Sequence, residues 1–347
     1  MSLLEADGLA VTFHTRGRPT ARGVDGVDLV VDKGEIVALV GESGCGKTTL
    51  ARTLLGLEQP SEGEVRFEGQ ALGTGTGAMR RYRRRVQLVL QDPTGALNPR
   101  HTVYDSVAEG LRIHKVVGSE QAGGLTETEL VAKALSSAGM RPPERFYLRY
   151  PHELSGGQRQ RVVIAGALVL DPDVIIADEP VSSLDASIRG EILALLLKLR
   201  NELGLSLLVV THDLGLAWNI ADRIAVMYLG RIVEIGTTEE VLQQPKHPYT
   251  RALLSVVPEM DEIEPIVLSG ETPDPSRVPG GCRFHPRCPA LADGTAAAAG
   301  IDDACRSVPL AVLPATGTHR VACHLYPAAA ADPDAPPAAR DQPAPTR

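Results

Sequence analysis

Apolar residues in this chain come in short, closed runs. Glu35 to Val40, Val86 to Leu90, Val174 to Ala177 and Ser206 to Val210 are each a brief apolar stretch, and each predicts a buried strand. Between them the spacing changes. Thr48 to Leu57 and Gln158 to Leu170 each follow a glycine-rich turn, and Ser187 to Leu203 has apolar residues at helical spacing with Gly204 as its stop, so these three predict helices. Strands separated by helices imply a mainly parallel sheet with helices packed on it. The fold class is α/β.

Near Pro258 the pattern is lost. Prolines at 258, 265, 273, 275 and 279 with no sustained periodicity place a boundary there. A small cysteine-bearing part, about residues 259–326, follows, and the Ala/Pro-rich 327–347 reads as a disordered tail. No internal repeat is visible.

Composition narrows the class. With 347 residues and 43% hydrophobic content the chain can bury one large domain plus a smaller one. Its greasiest stretches, Ile192 to Leu199 and Leu205 to Val210, are far shorter than the roughly 20 apolar residues that span a bilayer, so any membrane role is borrowed from a partner. The amino terminus carries acids where an export signal would carry a basic stretch and an apolar run, which reads as a cytoplasmic protein. A formal charge of -8 argues against nucleic acid as the main partner. The basic run Arg80 to Arg85 around Tyr82 goes against that balance; it reads as a solvated helix face, with an anion or nucleic-acid contact second. Of five cysteines, Cys45 stands alone while Cys282, Cys288, Cys305 and Cys323 fall in the last fifth. In a reducing compartment that cluster suggests a metal, with four unrelated small hydrophobes as the alternative.

The sharpest local signal is Gly41-Glu-Ser-Gly-Cys-Gly-Lys-Thr48, a G-x-x-x-x-G-K-[ST] loop between a predicted strand and a predicted helix. Gly41, Gly44 and Gly46 let successive backbone N–H groups turn around phosphate oxygens, and the following helix presents its positive dipole end. Lys47 supplies a charge for the β- and γ-phosphates, and the Thr48 hydroxyl can coordinate Mg²⁺. Ser43, Cys45 and Thr49 complete the set. Cys45 reads as a small tolerated residue; a reactive thiol, its pKa lowered by the helix N-terminus, is the second reading.

Leu154-Ser155-Gly156-Gly157-Gln158, followed by Arg159, Gln160 and Arg161, resembles the signature motif of ABC ATPases and lies 24 residues before Asp178 (178 minus 154). The resemblance implies a RecA-like core with a helical subdomain at about 92–170, inside a nucleotide-binding domain of residues 1–258. It implies that Asp178 holds Mg²⁺ and that Glu179 polarises the attacking water. Gln91 would be the glutamine that touches metal and water, His212 the γ-phosphate contact, and Asp185 part of the D-loop. Phe13 would stack on adenine. Two chains would sandwich two ATP molecules, each held by the phosphate loop of one and by Ser155 to Gln158 of the other.

Gln91-Asp-Pro-Thr-Gly-Ala-Leu-Asn-Pro-Arg100, Tyr150-Pro-His-Glu-Leu-Ser155 and Lys246-His-Pro-Tyr-Thr-Arg-Ala-Leu-Leu254 are similar to the ATPase subunits of oligopeptide, dipeptide and nickel importers, a likeness that covers about residues 3–326. It implies ATP hydrolysis powering peptide import, with nickel or another small solute as the alternative. The implied partners are a second ATP-binding subunit (paralogue or self), two transmembrane permease subunits and an extracytoplasmic solute-binding protein, which would hold the chain at the cytoplasmic face of the membrane. Pro279 to Pro289 and Val321 to His324 resemble that group's carboxy-terminal extension, which implies a [4Fe-4S] cluster on the four late cysteines, with Zn²⁺ as the alternative. Ala292 to Ala304 is a longer insertion expected to loop out. A soluble ABC ATPase of DNA repair or translation would need a coiled-coil insertion or a second cassette, neither of which is in the chain. Intact Glu179 and His212 oppose a non-hydrolysing subunit.

Overall fold

The computed structural model describes residues 2–14, 17, 19–257, 264–310, 313 and 317–326; the boundary at Pro258 and the tail 327–347 lie outside them. In chain order the strands are β1 (Ser2–Phe13), β2 (Ala21–Asp32), β3 (Ile36–Val40), β4 (Glu62–Phe67), β5 (Gln70–Ala71), β6 (Val86–Val89), β7 (Val174–Asp178), β8 (Ser206–Thr211), β9 (Arg223–Tyr228), β10 (Arg231–Thr237) and β11 (Arg320–Val321). They form a sheet of order β11-β10-β9-β3-β8-β7-β6 and a second of order β2-β1-β4-β5. In the larger sheet β9, β3, β8, β7 and β6 run parallel. The four apolar runs supply β3, β6, β7 and β8, and every residue of β3, β7 and β8 is buried, as a strand covered on both faces requires.

Register sets where the chemistry falls. Val40 lies opposite Thr211, and Asp178 opposite Val210, so β3, β7 and β8 end side by side. The loops after these strands therefore open on one rim, the usual place for a ligand in an open α/β sheet.

The antiparallel sheet was not legible as strands. Gly8, with φ 57, stands within β1, and the β1–β2 register slips between Ala6 and Leu9, so inward positions do not alternate along β1. Its apolar face, with Leu4, Leu9, Val27, Leu29 and Val31 buried, shares a core with Leu39 and Leu50.

Eight helices follow the first strands: α1 (Lys47–Leu54), α2 (Thr76–Arg85), α3 (Pro93–Ala96), α4 (Val103–His114), α5 (Glu127–Ser137), α6 (Gly156–Leu168), α7 (Ala186–Leu203) and α8 (Leu214–Ile220). α7 ends at Gly204, whose φ of 67 closes it as the sequence indicated. α3 to α6 pack on one another through fully buried Val107, Leu111, Val131, Leu135 and Ile164. The basic run lies on α2, and part of it turns inward. Tyr82 is buried with its hydroxyl donating to the Leu54 carbonyl, Arg83 Nη2 donates to the Gly56 carbonyl at 2.6 Å, and Arg85 pairs with Asp173 and Glu68.

The carboxy-terminal part adds α9 (Thr238–Gln243), α10 (Pro248–Leu254), α11 (Pro289–Ala292), α12 (Thr295–Ala298) and α13 (Asp302–Ser307). β11 joins the large sheet beside β10. Phe284 is buried between Tyr228 and Tyr249, with ring centroids at 5.1 and 5.3 Å, and the two tyrosines meet edge-on at 4.7 Å. Each such ring pair adds about 0.5–1.5 kcal/mol beyond its buried area. The insertion 292–304 does not loop out, contrary to expectation. It folds into α12 and the start of α13, and Ala296 is buried, because a run of good helix formers can cover apolar surface.

Candidate active site

The rim of the large sheet carries the phosphate loop. β3 ends at Val40, and residues 41–46 lead into α1, whose N-cap Gly46 has φ 110, a conformation that disfavours any side chain. Lys47 Nζ donates to the Gly41 carbonyl at 2.7 Å and to the Glu42 carbonyl at 2.9 Å, which bends the lysine back over its own loop.

From the neighbouring strand ends come the remaining groups. Gln91 Nε2 donates to Glu179 Oε2 at 3.0 Å, and His212 Nδ1 lies 3.1 Å from Glu179 Oε1. Both carboxylate oxygens of Glu179 are thus engaged by residues that arrive from after β6 and β8. Glu179 itself has φ 46, a left-handed conformation that costs a non-glycine residue of order 1–3 kcal/mol and is typically retained at working sites. Asp178, buried at the end of β7, has its carboxyl pushed up by burial and by the neighbouring Glu179 charge, partly offset by a hydrogen bond from Thr48 and the charge of Lys47. A buried carboxylate touching a threonine hydroxyl is a donor set that suits Mg²⁺, since a divalent cation relieves that burial cost.

These residues surround a cleft of about 740 Å³ lined by Ser43, Gly44, Gly46, Lys47, Thr48, Thr49, Gln91, Glu179 and His212. Phe13, at the end of β1, stands on its wall with 40% of its surface exposed, free to receive a flat ring. Ala21, Gly23, Leu253 and Pro275 also line the cleft. Ala21 and Gly23 come from the antiparallel sheet and Pro275 from the carboxy-terminal part; they carry no motif, so sequence reasoning missed them, and Leu253 lies in the 246–254 stretch without having been given a site role. Cys45 is 1% exposed, and burial pushes its thiol up despite the nearby Lys47, so the small-residue reading holds and the reactive thiol does not.

Ser155 to Gln158 do not line this cleft. Ser155 caps α6, its hydroxyl accepting from the Gln158 amide at 3.3 Å, while Gln158 Oε1 accepts from the Ser155 amide at 3.1 Å. Ser155 and Gly156 are exposed, and Gly157 is buried. Asp185, the N-cap of α7, is exposed with no side-chain cap bond. The N-terminus of α6 is therefore exposed away from the chain's own cleft, and a helix N-terminus favours negative charge.

The sequence model of the ABC transporter family matches residues 24–182, and that of the oligopeptide/dipeptide transporter C-terminal region matches residues 233–294. A putative peptide import ATP-binding protein of Brucella ovis is 44% identical over 298 residues, covering 85% of this chain and 92% of its own. The chain belongs to the ABC transporter family. Within it, the similarity is to the oligopeptide/dipeptide group. The dipeptide transport ATP-binding protein DppF of Escherichia coli is 45% identical over 271 residues, covering 77% of this chain and 79% of its own. Among solved structures, CbiO1 of Clostridium perfringens matches with TM-score 0.60 and 30% identity over 70% of this chain and 91% of its own. The ATP-binding cassette MJ0796, in a dimeric post-hydrolysis state bound to ADP and Pi, matches with TM-score 0.60 and 29% identity over 68% and 99%. No helix among the described residues is long and apolar enough to cross a membrane.

The four late cysteines meet at a second place. All line one small cavity of about 10 Å³, together with His285, His324, Phe284, Ala296 and Ile301. None forms a disulfide. Burial, then the neighbouring thiols, pushes Cys282 up to about 12 and Cys323 up to about 11; Cys288 and Cys305 shift the same way. The four cysteines share a cavity, but the structure does not bear out the expected metal site. Among the described residues no three His, Cys, Asp or Glu side chains form a group that could hold a metal ion.

Proposed function

We propose that this chain is the ATP-hydrolysing subunit of a peptide importer, working at the cytoplasmic face of the membrane through two permease subunits and a solute-binding protein. The observation that carries the reading is the gathering of Gln91, Glu179 and His212 opposite Lys47 and Thr48 around one cleft. Phosphoryl transfer needs positioning and charge neutralisation more than covalent chemistry. Loop amides and Lys47 cradle the β- and γ-phosphates. Thr48 and Asp178, with Gln91 at their side, would hold Mg²⁺, which neutralises charge on the phosphate oxygens. Glu179 accepts a proton from, and orients, the attacking water; Gln91 and His212 hold its carboxylate so that it faces the γ-phosphate. Phe13 stacks on the adenine.

The site is finished by a second chain. Ser155 to Gln158 present the N-terminus of α6, and Asp185 caps α7, the next helix in the chain, so a partner ATP-binding subunit, paralogue or self, would close each nucleotide against them. The division into a nucleotide-binding domain to about residue 258, with its helical part at about 92–170, and an extension at about 259–326 follows the same reading. Peptide rather than nickel is favoured by the names of the relatives. ATP-dependent uptake of labelled peptides into vesicles holding the assembled complex tests this; transport of Ni²⁺ but no peptide would overturn the assigned cargo.

For the cysteine cavity we read a structural [4Fe-4S] cluster, with Zn²⁺ as the alternative. Four thiols on one cavity is the support, since four sulfur donors suit either. Iron, zinc and ultraviolet-visible analysis of anaerobically purified full-length protein tests it. About four iron per chain with a broad visible band fits the cluster, stoichiometric zinc fits the alternative, and metal-free protein removes both.

A further inference from the structure

Glu42 follows the first glycine of the phosphate loop and lines the cleft, so its carboxylate puts a negative charge where a triphosphate would enter. It is not left free. Arg287 Nη1 donates to Oε2 at 2.7 Å and Nη2 donates to Oε1 at 3.1 Å, a two-pronged pairing, and the Thr272 hydroxyl donates to Oε2 at 2.7 Å. The Glu42 main chain is also tied. Its amide donates to the Tyr249 hydroxyl at 2.8 Å, and its carbonyl accepts from Lys47 Nζ at 2.9 Å.

Arg287 and Thr272 stand 245 and 230 positions away, in the carboxy-terminal extension. Arg287 is buried, so the guanidinium is a fixed part of the site rather than a passing surface contact. Burial pushes the Glu42 carboxyl up, but the bonds to Arg287 and Thr272 and the charges of Arg287 and Lys47 outweigh it and leave it below the usual carboxylate range. The same extension reaches the cleft at Pro275, whose carbonyl accepts from the Arg22 amide at 3.2 Å.

We propose that Arg287 is a positioning residue of the nucleotide site, acting through Glu42. It cancels a carboxylate that would repel the phosphates, and it fixes the peptide unit on which Lys47 rests before nucleotide arrives. The extension is thereby a working part of the ATP site. This rests on residues 41–48 being that site.

The test measures binding of a fluorescent ATP analogue with Mg²⁺ to the full-length chain. Arg287→Ala should weaken binding about tenfold, because it leaves Glu42 charged and unpaired. Adding Glu42→Gln to that variant should restore affinity to within about threefold of the parent, since no carboxylate then needs a partner. A defect that came from disturbing the neighbouring Cys288 would not be rescued this way. In the assembled complex, KM for ATP should rise with Arg287→Ala while kcat moves less than about twofold. Arg287→Lys, which keeps the charge but loses one prong, should cost about threefold and serves if the alanine variant does not fold. Binding within twofold of the parent for both Arg287 variants, or no recovery on adding Glu42→Gln, would overturn the proposal. Lys47→Ala separates the two levels: if it binds nucleotide as well as the parent, the site assignment fails; if it does not bind while Arg287→Ala does, only the role of Arg287 falls.

Discussion

The nucleotide cleft and the cysteine cavity carry polar chemistry in opposite ways. The cleft draws its groups from the ends of β3, β6, β7 and β8, whose register places them side by side, so a rigid sheet positions Lys47, Gln91, Asp178, Glu179 and His212 at once. The cysteines sit on loops, a short helix and an isolated bridge at Cys323, and their place depends on what those segments bury. Phe284 against Tyr228 and Tyr249 is the main such contact. Geometry from a sheet is prepared before a ligand arrives, whereas geometry from loops needs a ligand or a core residue to fix it.

Phe284→Ala should sharpen that contrast most. Truncating a buried phenylalanine costs about 3–5 kcal/mol, and denaturant unfolding of the variant should show a loss in that range with the cysteine cavity affected first. Protection of the four thiols from an alkylating reagent, read by mass spectrometry, should fall while nucleotide affinity falls less. Equal loss at both places would mean that the two regions are not separately supported.

Acid should also strain the carboxy-terminal part. His247 is fully buried, and burial, followed by the Arg251 charge, pushes its pKa from 6.5 to about 3. The unfolded chain therefore takes up a proton below about 6.5 that the folded chain refuses until about 3, so stability should fall as pH drops through that window. His247→Gln should flatten that limb of the curve of unfolding free energy against pH; an unchanged limb would place the acid sensitivity elsewhere.

On the cleft side, Phe13→Ala should weaken ATP binding by about 1–3 kcal/mol if the ring stacks on adenine, measured by titration with and without Mg²⁺. Ser155→Ala is the smallest perturbation of the folded chain. It removes an N-cap worth about 1 kcal/mol to α6 and should leave nucleotide affinity of the isolated chain unchanged while lowering turnover in the complex. A loss of affinity in the isolated chain would place Ser155 in the chain's own cleft.

Legibility followed the same division. The loop 41–48, Asp178 and Glu179 could be read because glycines, a lysine and acids at a strand end have few other uses together, and β3, β7 and β8 because they are apolar on both faces. Ala21, Gly23 and Pro275 could not, since they reach the cleft only through tertiary folding. In the antiparallel sheet β1 was not legible because Gly8 breaks its alternation, and β5 because it is two residues long. The insertion 292–304 looks like a loop because it is an Ala/Gly-rich stretch longer than the related extensions, yet Ala296 is buried against the cysteines. Arg287 had no signal in the sequence: one arginine beside a cysteine says nothing about a carboxylate 245 positions earlier.

In the proposed mechanism hydrolysis depends on Glu179. Steady-state ATP hydrolysis by the assembled transporter, compared between the parent and Glu179→Gln, tests it most directly. Removing a base that acts on the attacking water should lower turnover by about 10²–10⁴-fold while ATP remains bound and the dimer closed. Turnover within a few-fold of the parent would contradict the assignment of this cleft as the hydrolytic site.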